Sequence, residues 1–332
     1  MEKIDLSEIC RRYRARVIHM TPLEDCYLLE TNRGTKELRI WPRVDVMRWS
    51  FAWRERMARQ GFRELERFIR TRDAKPYLVT ASRGITLTDH LRHIEPVPTD
   101  HETVRQCGRI VGMMHAAQRE SGLFPAVDFW RQEQLQAVAE SRRARELWEA
   151  VRAKYKRAEG ERRRVAELFP LVLQRLQRSA DLLASTRIEP AALSVSHGEL
   201  HRDNWGMING KLYLRGFFQP TLSVQQRDVA VFLRDLYLTH EDEDQVDAFL
   251  DGYEEAKPLS YGDYTLMLAF LASPLELWKQ MEIYVGDDGQ PEGASAAEIE
   301  QALVRQQAVD GLLRRVAERA EGARGESAHE PL

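Results

Sequence analysis

The stretch SVSHGELHRDNWGMINGKLYLRGFF, residues 194–218, joins two unlike pieces. SHGELHRDN is polar and loop-like, and it sets His197, Glu199, His201, Asp203 and Asn204 close together in the chain. MINGKLYLRGFF then alternates apolar and polar positions about Asn209-Gly210, a strong signal for a two-residue hairpin turn because both residues accept positive φ. An H-G-x-x-H-x-x-N loop followed by a hairpin decides how the segments on either side are read.

Upstream, VIHM, CYLLET and KELRIW read as strands between Arg16 and Pro42, with Asn32, Arg33 and Gly34 as the turn between the last two. Val46, Met47, Phe51 and Met57 fall at helical spacing between Val44 and Arg59, and Gly61 is placed to end that helix. YLVT, after the turn residues Asp73 to Pro76, is a further short strand. Helical patterns follow over Thr88–His93 and Glu102–Arg119, the second with CGRIVGMMHAA on its inward face, which places a boundary near residues 82–86. Residues 128–185 read as helix broken at Pro170, and the charges of SRRARELWEAVRAKYKRAEGERRR read as a solvated face with neighbouring ion pairs.

Beyond the hairpin, helices are expected over 226–240, 244–255, 262–284 and 295–319, and the polar end EGARGESAHEPL is expected to be disordered. The fold class is therefore α+β: an N-terminal lobe over 1–83 of antiparallel sheet plus helix, a mainly helical C-terminal lobe over 84–320, and a tail over 321–332. At 332 residues, 43% hydrophobic and 30% charged, the chain can bury two modest cores. A net charge of -3 and a pI near 6.4 give no electrostatic case for nucleic acid or an anionic membrane as partner. Cys10, Cys26 and Cys107 are too dispersed for a disulfide framework or a zinc site. With no signal-peptide core at the N-terminus and no run long enough to span a bilayer, a cytoplasmic protein is expected.

Together, the small mixed lobe, the helical lobe and the loop–hairpin pair resemble the aminoglycoside phosphotransferase and choline kinase superfamily. The nearer likeness is to the CotS-like spore-coat kinase-like proteins. It is carried by GTKELRIWP, RQGFRELERFIRTRDAKPYLVT, VGMMHAA, SHGELHRDN, QQRDVAVFLRDLY, DGYEEAKPLSYGDY and FLASPLELWKQMEIYV. The resemblance implies a protein-kinase-like two-lobe fold, sporulation or spore-coat proteins as partners, and a cleft that once took a small molecule.

Phosphoryl transfer needs a cradle for the triphosphate, a cation on its oxygens, Mg2+ held by a carboxylate and an amide, and a positioned base. Carried onto this chain, the resemblance puts Glu199 at the base position, longer by a methylene than the family's Asp, and Asn204 at the amide metal ligand. An error of about 1 Å there can cost about a hundredfold in rate. At the second metal ligand the family has Asp and this chain has Gly216, flanked by Arg215, Phe217 and Phe218. Mg2+ is ordinarily bound through one or two carboxylates plus phosphates, so this is the most damaging change. Large apolar residues at 217 and 218 imply a metal site packed shut.

Arg39 falls at the nucleotide lysine, and a planar guanidinium is no geometric substitute for an ammonium. Lys36 reads as exposed, and Glu55 as a partner for Arg39 or for a surface cation. The first loop, MTPLEDC, lacks glycine and carries Glu24 and Asp25 where phosphate oxygens would lie. His197 and His201 are expected to hydrogen-bond and pack the loop. Asp228 is expected to cap the next helix or support the loop, and Asp203 to be a loop residue. The expectation is a pseudokinase acting as a spore-coat structural or binding component without cofactor. The alternative is an active phosphotransferase using ATP and Mg2+ on a hydroxyl group.

Overall fold

The computed structural model describes residues 6–80, 83–91, 95–117, 126–186, 194–197, 200–217, 221–286 and 294–327. In chain order the elements begin α1 (Leu6–Tyr13), β1 (Val17–Pro22), β2 (Tyr27–Thr31), β3 (Gly34–Trp41), α2 (Val44–Arg59), β4 (Leu78–Thr80) and β5 (Arg83–Asp89). Next come α3 (His101–Ala116), α4 (Ala126–Lys156), α5 (Glu161–Ser185), β6 (Ser194–Ser196), β7 (Trp205–Ile208), β8 (Lys211–Leu214) and β9 (Thr221–Ser223). Five helices close the chain: α6 (Gln225–His240), α7 (Glu243–Ala256), α8 (Tyr261–Ala272), α9 (Leu275–Gly286) and α10 (Ala296–Ser327). These form two compact units, the first made of Met1–Pro98, Ala116–Leu123 and Asp203–Thr221, and the second of the remainder.

The first unit is built on a five-stranded antiparallel sheet in the order β1-β2-β3-β5-β4. Alternation in β2, β3 and β5 sends Leu29, Leu38 and Leu87 inward, where they pack with Ile9 and Tyr13 of α1 and with Leu78. A second apolar group, Trp41, Met47 and Phe68 with Phe51 and Tyr77, anchors α2. Gly61 follows the last turn of α2 at φ 107, the left-handed conformation that suits glycine at a helix end.

A sequence boundary at 83/84 would cut this sheet. Arg83–Asp89 is a strand rather than the approach to a helix, pairing with β3 from Trp41↔Gly84 to Lys36↔Asp89. The β-branched, alternating sequence GITLT supplies both a buried face and the partner that β3 otherwise lacks on that edge. The unit then continues to Pro98 and takes in the β7–β8 hairpin from far along the chain.

The second unit is helical. Its main core joins α4, α5, α9 and α10 through Tyr155, Phe169, Val172, Trp278, Met281 and Ile299. The expected break at Pro170 does not occur: α5 runs through it, because Phe169 and Val172 beside it are fully buried. Packing of that face offsets the missing hydrogen bond. The break falls at Gly160, with φ 62. Likewise the single helix expected over 262–284 is two, because Pro274 holds Ser273 extended at φ -67, ψ 118. α10 continues to Ser327, through part of the tail read as disordered, with Glu321 and Arg324 3.8 Å apart on one face.

Helices α3 and α7 cross at backbone contact. A Cβ on Gly108 would lie 1.9 Å from the Phe249 carbonyl oxygen, and one on Gly252 would lie 1.9 Å from that of Arg105. Among the described residues no helix is long and apolar enough to cross a membrane.

Candidate functional site

In the first unit the β7–β8 hairpin sets the geometry. Its register runs from Trp205↔Leu214 to Ile208↔Lys211, closed by Asn209 at φ 51 and Gly210 at φ 73, the turn that the Asn-Gly pair encodes. At the open end Arg215 N donates to Asn204 O over 2.9 Å, so residues 204 and 215 sit opposite one another and Gly216 follows at φ 90. Backbone bonds from Leu214 N to Glu64 O and from Glu66 N to Leu214 O, each 3.0 Å, tie the hairpin to the segment after α2.

Next to Gly216, the Phe217 ring turns into the core, 1% exposed and edge-on to Trp53 at 5.4 Å. Its carbonyl accepts from Arg54 Nη2 over 2.5 Å and from Ser50 Oγ over 3.2 Å. Arg54 is 2% exposed, lies 4.4 Å from the Phe68 ring centroid and 5.1 Å from that of Phe217, and pairs with Glu66 at 3.4 Å. Burial pulls its pKa down to about 10, with Glu66 opposing the shift, so it stays a cation at neutral pH.

Beside this plug lies a cavity of 240 Å³, lined by Arg39, Asn204, Arg215 and Gly216 together with the acids Glu37, Glu66, Asp89 and Asp203. Phe217 therefore does not pack the expected metal position shut. Phe217 fills the core instead of the cavity, and Phe218 lies outside the described residues. Arg215 stands in the cavity wall and donates through Nε and Nη2 to Asp203 O at 3.3 and 3.0 Å. The side-chain carboxylate next to Asn204 in this wall is that of Asp203; position 216 offers none.

Arg39, expected at the nucleotide lysine, donates to the backbone oxygen of Asp25 at 3.2 Å, which ties it to the first loop. That loop is a tight turn, Leu23 N to Cys26 O 2.8 Å, with Glu24 and Asp25 exposed. Glu55 pairs with Arg67 at 2.7 Å and Arg70 at 3.7 Å, so of the two partners open to it the surface cations hold it. Lys36 is not an open surface cation but forms an ion pair with Asp89. The neighbouring His90 Nδ1 lies 2.7 Å from Glu37 Oε1.

The loop residues that belong to the second unit are held differently. Asp228 is 1% exposed in the first turn of α6, and its Oδ2 accepts the backbone N–H of His197 at 2.6 Å and faces His115 Nε2 at 3.2 Å. Of its two expected roles, the contacts are those of loop support; the helix cap at Val224 has no side-chain bond. His115 Nδ1 lies 2.9 Å from the Tyr253 hydroxyl, and Gln225 Nε2 donates to the His115 carbonyl at 3.0 Å. Burial holds the His115 pKa below the ordinary imidazole value, against the pull of Asp228. His197 is buried and His201 exposed, while Glu199 lies outside the described residues.

Two residues of these arrangements escape a motif-led reading. Arg54 shares a helical stripe with Ser50 and Ala58 and neighbours Trp53, so its inward position follows from i, i+4 spacing. His115 ends the inward face of VGMMHAA, and a buried imidazole there requires a partner.

Comparison with solved structures shows the fold. The aminoglycoside phosphotransferase of Alicyclobacillus acidocaldarius subsp. acidocaldarius DSM 446 superposes with a TM-score of 0.73 at 16% identity, over 97% of this chain and 98% of its own. The spectinomycin phosphotransferase APH(9)-Ia, solved with ADP and spectinomycin, gives 0.61 at 10% identity, over 92% and 97%. A microcompartment-associated aminopropanol kinase gives 0.57 at 13% identity, over 94% and 97%. No curated protein matches the sequence. The model of the family described as "Spore coat putative kinase YutH" matches residues 45–316, and on that match the chain belongs to this spore-coat kinase-like family.

Proposed function

We propose that this chain is a catalytically silent kinase-fold protein, a pseudokinase serving as a binding or structural component of the spore coat. The observation that carries the reading is the wall of the 240 Å³ cavity at Asn204. The partner position for a metal is Gly216, and the guanidinium of Arg215 occupies the adjoining wall.

Mg2+ is ordinarily held through one or two carboxylates, and a neighbouring guanidinium opposes it. Of the four carboxylates around the cavity, Glu66 pairs with Arg54, Asp89 with Lys36, and Glu37 faces His90, which draws them away from a metal. The first-loop acids and the tether of Arg39 to Asp25 add to that. Family membership supports the spore-coat setting, where partners are other coat or sporulation proteins.

The test is a calorimetric titration of the purified chain with ATP, in Mg2+ and again in EDTA. The expected result is no metal-dependent heat. Metal-dependent binding at micromolar strength overturns the reading in favour of a working hydroxyl phosphotransferase.

A further inference from the structure

Helices α4, α5, α6 and α8 of the second unit, with Leu275 of α9, line a separate, partly open cavity of 160 Å³. Its wall is largely apolar, with Leu176, Leu183, Ala230, Val231 and Phe270 facing in. A dry engineered cavity of about 150 Å³ takes up benzene, so the space suits a small organic molecule.

Four charged residues stand in this wall, and two of them cancel. Arg227 Nη1 bonds Glu133 Oε1 at 3.0 Å, with its guanidinium 5.7 Å from the Phe270 ring centroid. Arg234 and Glu140 are different, because neither has an ion-pair partner among the described residues. Arg234 spends only Nη2, which donates to the carbonyls of Phe270, Leu271 and Ser273 at 2.9, 2.7 and 3.3 Å. Its Nε is buried without an acceptor among the described residues. Glu140 accepts from Trp278 Nε1 at 3.0 Å through one oxygen.

A guanidinium and a carboxylate thus stand in one largely apolar cavity with no opposite charge at ion-pair distance among the described residues, although Glu276 acts on Arg234 from further off. A ligand carrying both opposite charges on a small apolar body supplies both at once. We propose that this cavity binds a leucine-sized apolar amino acid as its zwitterion, with the carboxylate on Arg234, the ammonium on Glu140, and the side chain among Leu176, Leu183 and Phe270. Arg234 is pre-positioned for the task, since the carbonyls of Phe270, Leu271 and Ser273 hold its Nη2. The inference is independent of whether the chain binds ATP.

The experiment is calorimetric titration of the full chain with L-leucine, beside 4-methylpentanoate, which lacks the ammonium, and 3-methylbutylamine, which lacks the carboxylate. Each missing charge-assisted bond should weaken binding by about tenfold or more. Glu140→Gln keeps an acceptor for Trp278, and it should erase the preference for leucine over 4-methylpentanoate. Val231→Phe fills the cavity from α6 and should abolish leucine binding while circular dichroism shows an intact fold.

No heat with leucine at millimolar concentration overturns the proposal. So does equal binding of 4-methylpentanoate by the native chain, which would make the cavity a simple carboxylate site. Leucine binding that survives Val231→Phe would place it elsewhere and overturn it as well.

Discussion

Arg54 occupies a place that sequence logic reserves for apolar side chains, in a helix face shared with Trp53 and Met57. Its charge is tolerated because Glu66 and the Phe217 carbonyl take its hydrogen bonds and two aromatic faces flank it. Removing one member of such a buried set leaves the others uncompensated. Arg54→Ala should therefore cost about 3–5 kcal/mol of stability in denaturant unfolding. A loss below about 1 kcal/mol would mean that water replaces the guanidinium, as at an exposed site. Gly216 poses the opposite question, because its φ of 90 disfavours a Cβ, although Asp is among the L-residues that visit positive φ most often. Gly216→Asp should fold with a penalty of about 1 kcal/mol. It should still give no Mg2+-dependent ATP heat, since Arg215 and the tethered Arg39 remain. Recovery of binding by that single change would show that the missing carboxylate alone had silenced the site.

At the scale of elements, the contact of α3 with α7 tolerates no added atom on Gly252, whose Cβ would sit 1.9 Å from a backbone oxygen that cannot swing aside. Gly252→Ala should destabilise the second unit by about 2 kcal/mol or more through forced separation of the helices, read as a lower urea midpoint. On α3, His115 faces Tyr253 of α7 and Asp228 of α6, and its carbonyl accepts from the Gln225 side chain. Its pKa is depressed in the fold, so the unfolded chain binds the extra proton first as pH drops below about 6.5. The stability it contributes is thus whole above that pH and is lost as pH falls further. The melting temperature should fall more steeply from pH 7 to pH 5.5 in the native chain than in His115→Gln; parallel profiles would exclude the imidazole as the cause. Periodicity made most of these elements legible, as did the Asn209-Gly210 turn. It misplaced helix ends at Pro170 and Pro274 because burial decides whether a helix runs through a proline, and local sequence does not report burial.

For the molecule as a whole, the α+β plan could be read from the order of patterns, while the membership of the first unit could not. Residues 203–221 join it through pairings such as Leu65↔Leu214 and Glu95↔Met207, which span more than a hundred positions and leave no local trace. The candidate site divides the same way. Gly216 and Arg39 could be found by register, whereas the tether of Arg39 to Asp25 and the inward turn of Phe217 are tertiary facts. Stability of the whole chain offers a readout that does not depend on knowing an acceptor. A ligand that binds only the folded state raises stability by about 2.7 kcal/mol at a hundredfold excess over its Kd. For a Kd of about 10 μM, 1 mM Mg-ATP should then lift the melting temperature by about 4 °C. A silent site predicts coincident melting curves with Mg-ATP and with EDTA. A rise that EDTA reverses would instead establish a metal-dependent nucleotide complex, and Asn204→Ala would then have to remove it if Asn204 is the ligand that the cavity suggests.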